Sequence, residues 1–391
     1  MKTKYKCTVY IKIKEDKIIA SNNIHNHPNH RMDIMKEQAK KDIKRIIKNA
    51  LDPFSINLQK TVKTYSADKG IRCPAFKTIK NCLYKELNKN IPDDILDLSL
   101  APENSLYYKT LNNENFVIYK DKELMILQSP GLAKIQLKLG NIDFCDGTFF
   151  ICPSVAYQVF ITRVYSSITH SYYTTSFSIM KNKSEKDYTK VFNVLNENIK
   201  KYLDIGESYE IEEVHTDFEL AIGKGCKNIY PDVSIKFCIW HFLRALEINK
   251  NKICSKEIKE NDVLYKLIKT VSNLYICDPD YVLPIFELIC KKNTNNNFKN
   301  FLTYFKNQYI LKIDIHSWNY YKNFTHITNN SCESYNCKLN KIFKVKPTFF
   351  KLLYELRIEE QDIVTTYEKR KAGLLGHEIR RNLNIINKKN Y

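Results

Sequence analysis

Three acids in this chain sit where a carboxylate could do chemistry. Asp146 follows a short apolar run in Ile142-Asp143-Phe144-Cys145-Asp146-Gly147-Thr148-Phe149 and precedes a glycine, at the expected end of a strand. Asp217 closes a second such run in His215-Thr216-Asp217-Phe218-Glu219, and Glu333 lies in Asn329-Asn330-Ser331-Cys332-Glu333-Ser334-Tyr335-Asn336. Carboxylates are hard oxygen ligands suited to Mg2+ or Mn2+, so acids that converge could hold ions for phosphoryl transfer. Each also has an ordinary structural use. Asp-Gly is the commonest hairpin dipeptide. Thr216-x-x-Glu219 reads as a capping box with Asp217 in the first helical turn, and Asn330 with Glu333 reads as another. Glu219 is the rival of Asp217, which lies nearer the strand end. Asp143 is the rival of Asp146, but alternation puts it on the opposite strand face.

A second group of residues offers sulfur and imidazole. Cys238 and His241 form a Cys-x-x-His pair, and positions three apart on a helix share a face. Both could ligate one metal or meet the active site, with Cys226, Cys254 or His316 needed to complete a zinc site. The bland alternative is a buried thiol and a hydrogen-bonded histidine that hold a helix against a sheet. Near the start, Cys7, His25 and His27 are zinc-ligand types, one short of the four a structural zinc requires. This pattern resembles the C-terminal half of a FLYWCH or WRKY-type zinc finger, and the sequence as given begins too late to contain the second cysteine. Three unrelated residues beside a β-hairpin are the alternative.

The elements that must position these groups change character along the chain. Residues 1–30 read as a small β unit, with alternation over Cys7–Ile13 and a partner at Lys17–Ala20. Residues 31–104 read as a basic helical segment, with one helix up to Ala50 and another over Ala75–Leu87. From about residue 105 the pattern is β: Phe116–Tyr119, Leu124–Leu127, Ile142–Phe150, Ala156–Tyr165 and Tyr172–Met180. The last three, closely connected, predict an antiparallel meander. A helix from Ser184 to about Leu203, a strand over Ile211–His215 and another over Ser234–Cys238 follow. The order βββαβαβ with a mixed sheet is an α/β sandwich of the RNase H-like kind. The core would thus begin in 105–242, continue past a helical stretch over 243–326, and end in the helices of 327–391. That stretch reads as Trp240–Ile248, Asp262–Tyr275, Pro279–Cys290 and Phe298–Ile310.

Composition narrows the partners. The 391 residues carry 62 Lys and Arg against 43 Asp and Glu, a formal net charge of +19, which points to a polyanion. The 26 Tyr and 20 Phe add stacking surfaces for bases. An AT-rich genome, which inflates Lys, Asn, Ile and Tyr together, would give the same bias. The twelve Cys include no Cys-x-x-Cys pair and read as reduced thiols of an intracellular protein. No signal peptide opens the chain, and no apolar run approaches the roughly 20 residues a membrane span requires.

The four motifs taken in order, Asp146-Gly147-Thr148-Phe149, the segment His215–Ile222, the segment Cys238–Leu246 and the segment Asn329–Asn336, resemble the Mutator-like element (MULE) transposases. The resemblance covers about residues 100–350, and a zinc finger of the type at residues 7–27 often accompanies that domain. It implies an RNase H-like core whose DDE acids map onto Asp146, Asp217 and Glu333. It also implies a helical insertion before the last acid, where 116 positions separate Asp217 from Glu333. Two Mg2+ or Mn2+ ions held by the three acids, with Asp146 as the bridge, would serve an in-line displacement. The implied function is cleavage of double-stranded DNA at transposon ends and strand transfer into target DNA. It would act in the nucleus, as a homodimer or higher oligomer on DNA. A domesticated transposase acting as a non-catalytic DNA-binding regulator is the alternative, and an RNase H-like nuclease on hybrid or branched substrates is a third reading.

Overall fold

The computed structural model describes residues 8–24, 31–69, 73–323, 325–343 and 345–376. The chain divides into two compact units, Met1–Asp93 and Asp94–Tyr391. In the first, β1 (Tyr10–Lys14) pairs antiparallel with β2 (Lys17–Asn22). The two residues between them, Glu15 and Asp16, both have positive φ (49° and 61°), the backbone a tight two-residue hairpin demands. Helices α1 (Arg31–Lys48), α2 (Leu58–Lys69) and α3 (Phe76–Asn88) bury Ile43, Ile47, Leu58, Val62, Ile79 and Leu83 together. The lysines and arginines lie outside that apolar stripe, as helical spacing requires. Cys7, His25 and His27 are outside the described residues.

The second unit opens with β3 (Val117–Lys120), β4 (Leu124–Leu127) and α4 (Pro130–Leu139), then β5 (Ile142–Thr148), β6 (Gln158–Ser166) and β7 (Ser171–Met180). Next come α5 (Glu185–Lys200), β8 (Glu213–Thr216), α6 (Leu220–Lys227) and β9 (Ser234–Phe237). A helical stretch follows: α7 (Ile239–Glu260, broken at Cys254), α8 (Asp262–Ser272), α9 (Pro279–Lys292), α10 (Asn296–Phe305) and the short α11 (Ile315–Trp318). Helices α12 (Asn330–Ile342) and α13 (Phe349–Lys371) close the described chain.

The strands form one seven-stranded sheet in the order β3-β4-β7-β6-β5-β8-β9. β5, β6 and β7 are the expected antiparallel meander, while β8 pairs parallel with β5 and β9 parallel with β8. This mixed sheet flanked by helices is compatible with an RNase H-like fold. Helix α5 illustrates how the sequence enforces the layer. Ser184 caps its first turn in a reciprocal capping box with Asp187, and Tyr188, Val191, Phe192, Leu195 and Ile199 recur at helical spacing on its buried face. Tyr188 and Phe192 pack edge-on against Phe160 of β6, with centroids 5.0 and 6.2 Å away.

Several elements differ from expectation. Helix α4 was not anticipated, although Ser129 caps it and Pro130 opens it. Helix α10 stops at Phe305 and passes into a π-helical turn over Lys306–Leu311. Asp146-Gly147 is not a hairpin turn; it lies within the last three residues of β5, as a strand-end position would. The ladder continues through it, with Asp146 opposite Ile161, Gly147 opposite Phe160 and Thr148 opposite Val159.

Glycine at 147 answers a close approach. A Cβ there would stand 2.2 Å from Oε1 of Gln158, whose fully buried side chain donates to the Tyr188 hydroxyl at 2.8 Å and so cannot swing away freely. Gly147→Ala should therefore destabilise the second unit by about 1–3 kcal/mol, the usual cost of overpacking. Urea denaturation followed by tryptophan fluorescence checks this; an unchanged midpoint would show that Gln158 yields.

Candidate active site

The sheet register brings the first two acids together. Phe144 of β5 is in register with His215 of the parallel β8, and their rings stack at 4.8 Å and 17°. Side chains alternate along each strand, so Asp146 and Asp217, two residues further on, project from the same face at the same level. Asp143 falls on the other face. It is buried there and accepts two hydrogen bonds from Gln136 Nε2, at 2.8 and 2.7 Å, with burial raising its pKa to about 8. Glu219 turns aside as well, accepting from the Tyr188 hydroxyl at 2.6 Å and pairing with Lys183.

Helix α12 carries the third acid over this face, and three contacts fix it. Asn336 Nδ2 donates to Asp146 Oδ2 at 2.7 Å, and Asn329 Nδ2 donates to the Cys145 carbonyl at 3.1 Å. The Arg163 guanidinium, 4.5 Å from the centre of the Tyr335 ring, donates to the Ser331 carbonyl. Neither expected capping box forms. The residue capping α6 is Glu219 and that capping α12 is Asn329, and neither side chain caps its helix.

His241, at the start of α7, completes the group. Its Nδ1 is 3.0 Å from Asp217 Oδ1 and its Nε2 is 3.8 Å from Glu333 Oε1, so one imidazole lies between two of the acids. Asp217 Oδ1 and His241 Nδ1 are buried and neither has an aligned hydrogen-bond partner, so the close contact is an ion pair. Burial disfavours the charged ring, but Asp217 and Cys238 outweigh that and hold its pKa up at about 10. Cys238 is not on the helix; it is the residue that caps it. Cys226, Cys254 and His316 do not join it. Among the described residues, the group able to hold a metal with ligand atoms within 4.8 Å of one another is Asp217, Cys238 and His241.

Asp146 reports the crowding. Loss of water raises its pKa to about 7, and the charges of Asp217 and, more weakly, Glu333 push the same way; the Gly147 N–H, donating at 2.7 Å, and His241 oppose it. A carboxylate made costly to ionise first by burial and then by neighbouring carboxylates is the environment a divalent cation relieves. The three acids offer only oxygens, the donor type of Mg2+ or Mn2+, but among the described residues their ligand atoms do not all lie within 4.8 Å of one another, so an ion would have to draw them together. Asn329, Asn336 and Arg163 were not anticipated. For Asn336 a signal existed, since it lies three residues after Glu333 and so shares its helix face. Arg163 and Asn329 act through contacts distant in sequence that no local pattern reveals.

Residues 145–245 match the family model of the MULE transposase domain. The chain therefore carries a MULE transposase domain, as its motifs suggested, and such a domain implies DNA as partner. The match contains Asp146, Asp217, Cys238 and His241 and ends before Glu333. No match was found among curated proteins. No helix among the described residues is long and apolar enough to cross a membrane.

The raised pKa of Asp146 has a signed consequence. A group whose folded pKa exceeds its unfolded value binds its proton more tightly when folded, so its stabilising contribution is present in acid and is lost as pH rises from about 4 to about 7. Without metal, Asp146→Asn should raise the melting temperature at pH 8 and leave it little changed at pH 4. Mg2+ should raise the wild-type melting temperature more at pH 8 than at pH 6, because the proton competes with it, and should not raise that of Asp146→Asn. Equal shifts in both proteins would show that Asp146 does not hold the ion.

Proposed function

We propose that the chain is a DDE-type transposase that cuts double-stranded DNA at transposon ends and joins the strands to target DNA. On this reading Asp146, Asp217 and Glu333 are its catalytic acids. The supporting observation is geometric: His241 lies 3.0 Å from Asp217 and 3.8 Å from Glu333, and Asn336, on the same helix as Glu333, donates to Asp146 at 2.7 Å. Two Mg2+ or Mn2+ ions, when bound, would polarise the phosphodiester and lower the pKa of an attacking water or 3′-hydroxyl. The chain's own part is to supply oxygens and hold them still. Asn336 and the Gly147 N–H occupy one lone pair on each Asp146 oxygen and fix the carboxylate plane. His241 keeps Asp217 and Glu333 from repelling each other while no cation is present.

The remaining parts of the reading follow from this activity. The helical stretch 243–326 is an insertion between the second and third acids, and 31–104 with the zinc-finger-like 1–30 contacts DNA. The protein works in the nucleus as a homodimer or higher oligomer, and Cys7, His25 and His27 would supply three ligands of an incomplete zinc site that needs a fourth.

DNA carrying the terminal inverted repeats, incubated with protein and Mg2+, tests the proposal. Cleavage is expected, and Asp146→Asn, Asp217→Asn and Glu333→Gln should each lower it at least about a thousandfold, equivalent to about 4 kcal/mol of transition-state stabilisation. Each variant should bind the same DNA within a few fold of wild type. Binding without cleavage by the wild-type chain would instead identify a DNA-binding regulator.

A further inference from the structure

Cys238 does nothing for an all-oxygen magnesium site, yet its sulfur belongs to a compact trio with Asp217 and His241. We propose that Asp217, Cys238 and His241 form a second, mixed-donor site for a zinc-class cation, and that this site shares Asp217 with the three-acid site. Mg2+ takes oxygen ligands and avoids sulfur, whereas Zn2+ and Co2+ accept thiolate, imidazole and carboxylate together, with three protein ligands and a fourth position left open. Tetrahedral bonds of about 2.0–2.3 Å span ligand atoms roughly 3.3–3.8 Å apart. The trio, whose ligand atoms all lie within 4.8 Å of one another, would need to close by about 1.5 Å at most.

Three further observations point the same way. Asp217 Oδ1 and His241 Nδ1 are buried without an aligned hydrogen-bond partner, though only 3.0 Å apart. The sulfur of Cys238 is held in place by the backbone N–H of Asn329 at 3.3 Å. With Nδ1 as the ligand, Nε2 faces Glu333 Oε1 at 3.8 Å, too far for a hydrogen bond but near enough for the carboxylate to approach and orient the ring when an ion binds. A cavity of about 530 Å³ lined by Lys183, Asp217, Glu219, His241 and Tyr304 gives an ion a path inward. A zinc-class ion here would draw Asp217 away from magnesium and so inhibit DNA cleavage. That consequence rests on the catalytic role given to Asp217 above; the binding site does not.

The test uses the full chain with Cys7→Ser, which removes a thiol that could compete, after chelation and then titration with Co2+ alone. One equivalent should bind with a sulfur-to-cobalt charge-transfer band and tetrahedral d–d bands. Cys238→Ser should abolish the charge-transfer band and weaken binding beyond the roughly 10–100-fold that loss of an outer-shell partner costs. His241→Ala should weaken binding similarly. Zinc-edge X-ray absorption on the Cys238-containing protein should show one sulfur among nitrogen and oxygen neighbours, a result that stands even if Cys238→Ser fails to fold. A cobalt equivalent and band unchanged by Cys238→Ser, or a zinc shell without sulfur, would overturn the proposal. Zinc inhibition of cleavage is read separately: absence of any cleavage in Mg2+ would refute the catalytic reading and leave the cobalt result intact.

Discussion

Carboxylates brought to one end of a sheet repel one another, and much of the second unit is arranged to hold them there. Like charges gathered in a partly buried site repel more strongly than in water, because the effective dielectric there is lower. Without a cation that cost must be met by covalent geometry and packing. The sheet contributes most, because the register of Phe144 with His215 leaves Asp146 and Asp217 no other face to occupy. Helix α12 is then locked over them by Asn336, Asn329 and Arg163. His241 supplies positive charge between Asp217 and Glu333, while burial first and the charge of Asp217 second raise the pKa of Asp146.

Helix α7 explains how the long helical stretch before Glu333 takes part in this balance. Its first turn presents His241 to the acids, and the next residue, Phe242, is fully buried in an aromatic cluster. The Phe242 ring stacks on Trp318 at 5.2 Å and meets Tyr309 edge-on at 4.9 Å. Phe218, beside Asp217, stacks on Phe237 at 4.7 Å and meets the same Tyr309 at 5.7 Å. The helical layer and the end of the sheet therefore share one core. The Ile239 N–H donates to the Ile327 carbonyl at 3.0 Å, so the chain returning from the helical stretch is tied to the start of α7 just before it enters α12. One imidazole and one carboxylate on helices far apart in sequence are thereby set against the sheet.

The sheet was largely legible because its signals are local. Alternation and turn residues gave the meander, α5, β8 and β9 nearly to their ends, and the same alternation separated Asp146 from Asp143. The site was legible in type and only partly in geometry. Asp-Gly, Thr216-x-x-Glu219 and Asn330-x-x-Glu333 all carried ordinary turn or cap readings that the structure does not realise: Asp146 is held by Asn336, and Glu219 by Tyr188 and Lys183. The Cys238–His241 spacing suggested a shared helix face, whereas Cys238 precedes the helix and is drawn to Asn329. That His241 would stand between two acids, or that Arg163 would clamp α12, depends on contacts across 92 and 168 positions, and no local rule reaches so far.

The central claim is that the three acids form one cation site. Crystals of the full chain soaked in Mn2+, with diffraction recorded at the manganese absorption edge, test it most directly. Anomalous density bounded by the carboxylate oxygens of Asp146, Asp217 and Glu333 is expected, and it should be lost in Asp146→Asn. Manganese bound elsewhere, or no density among these three residues, would contradict it.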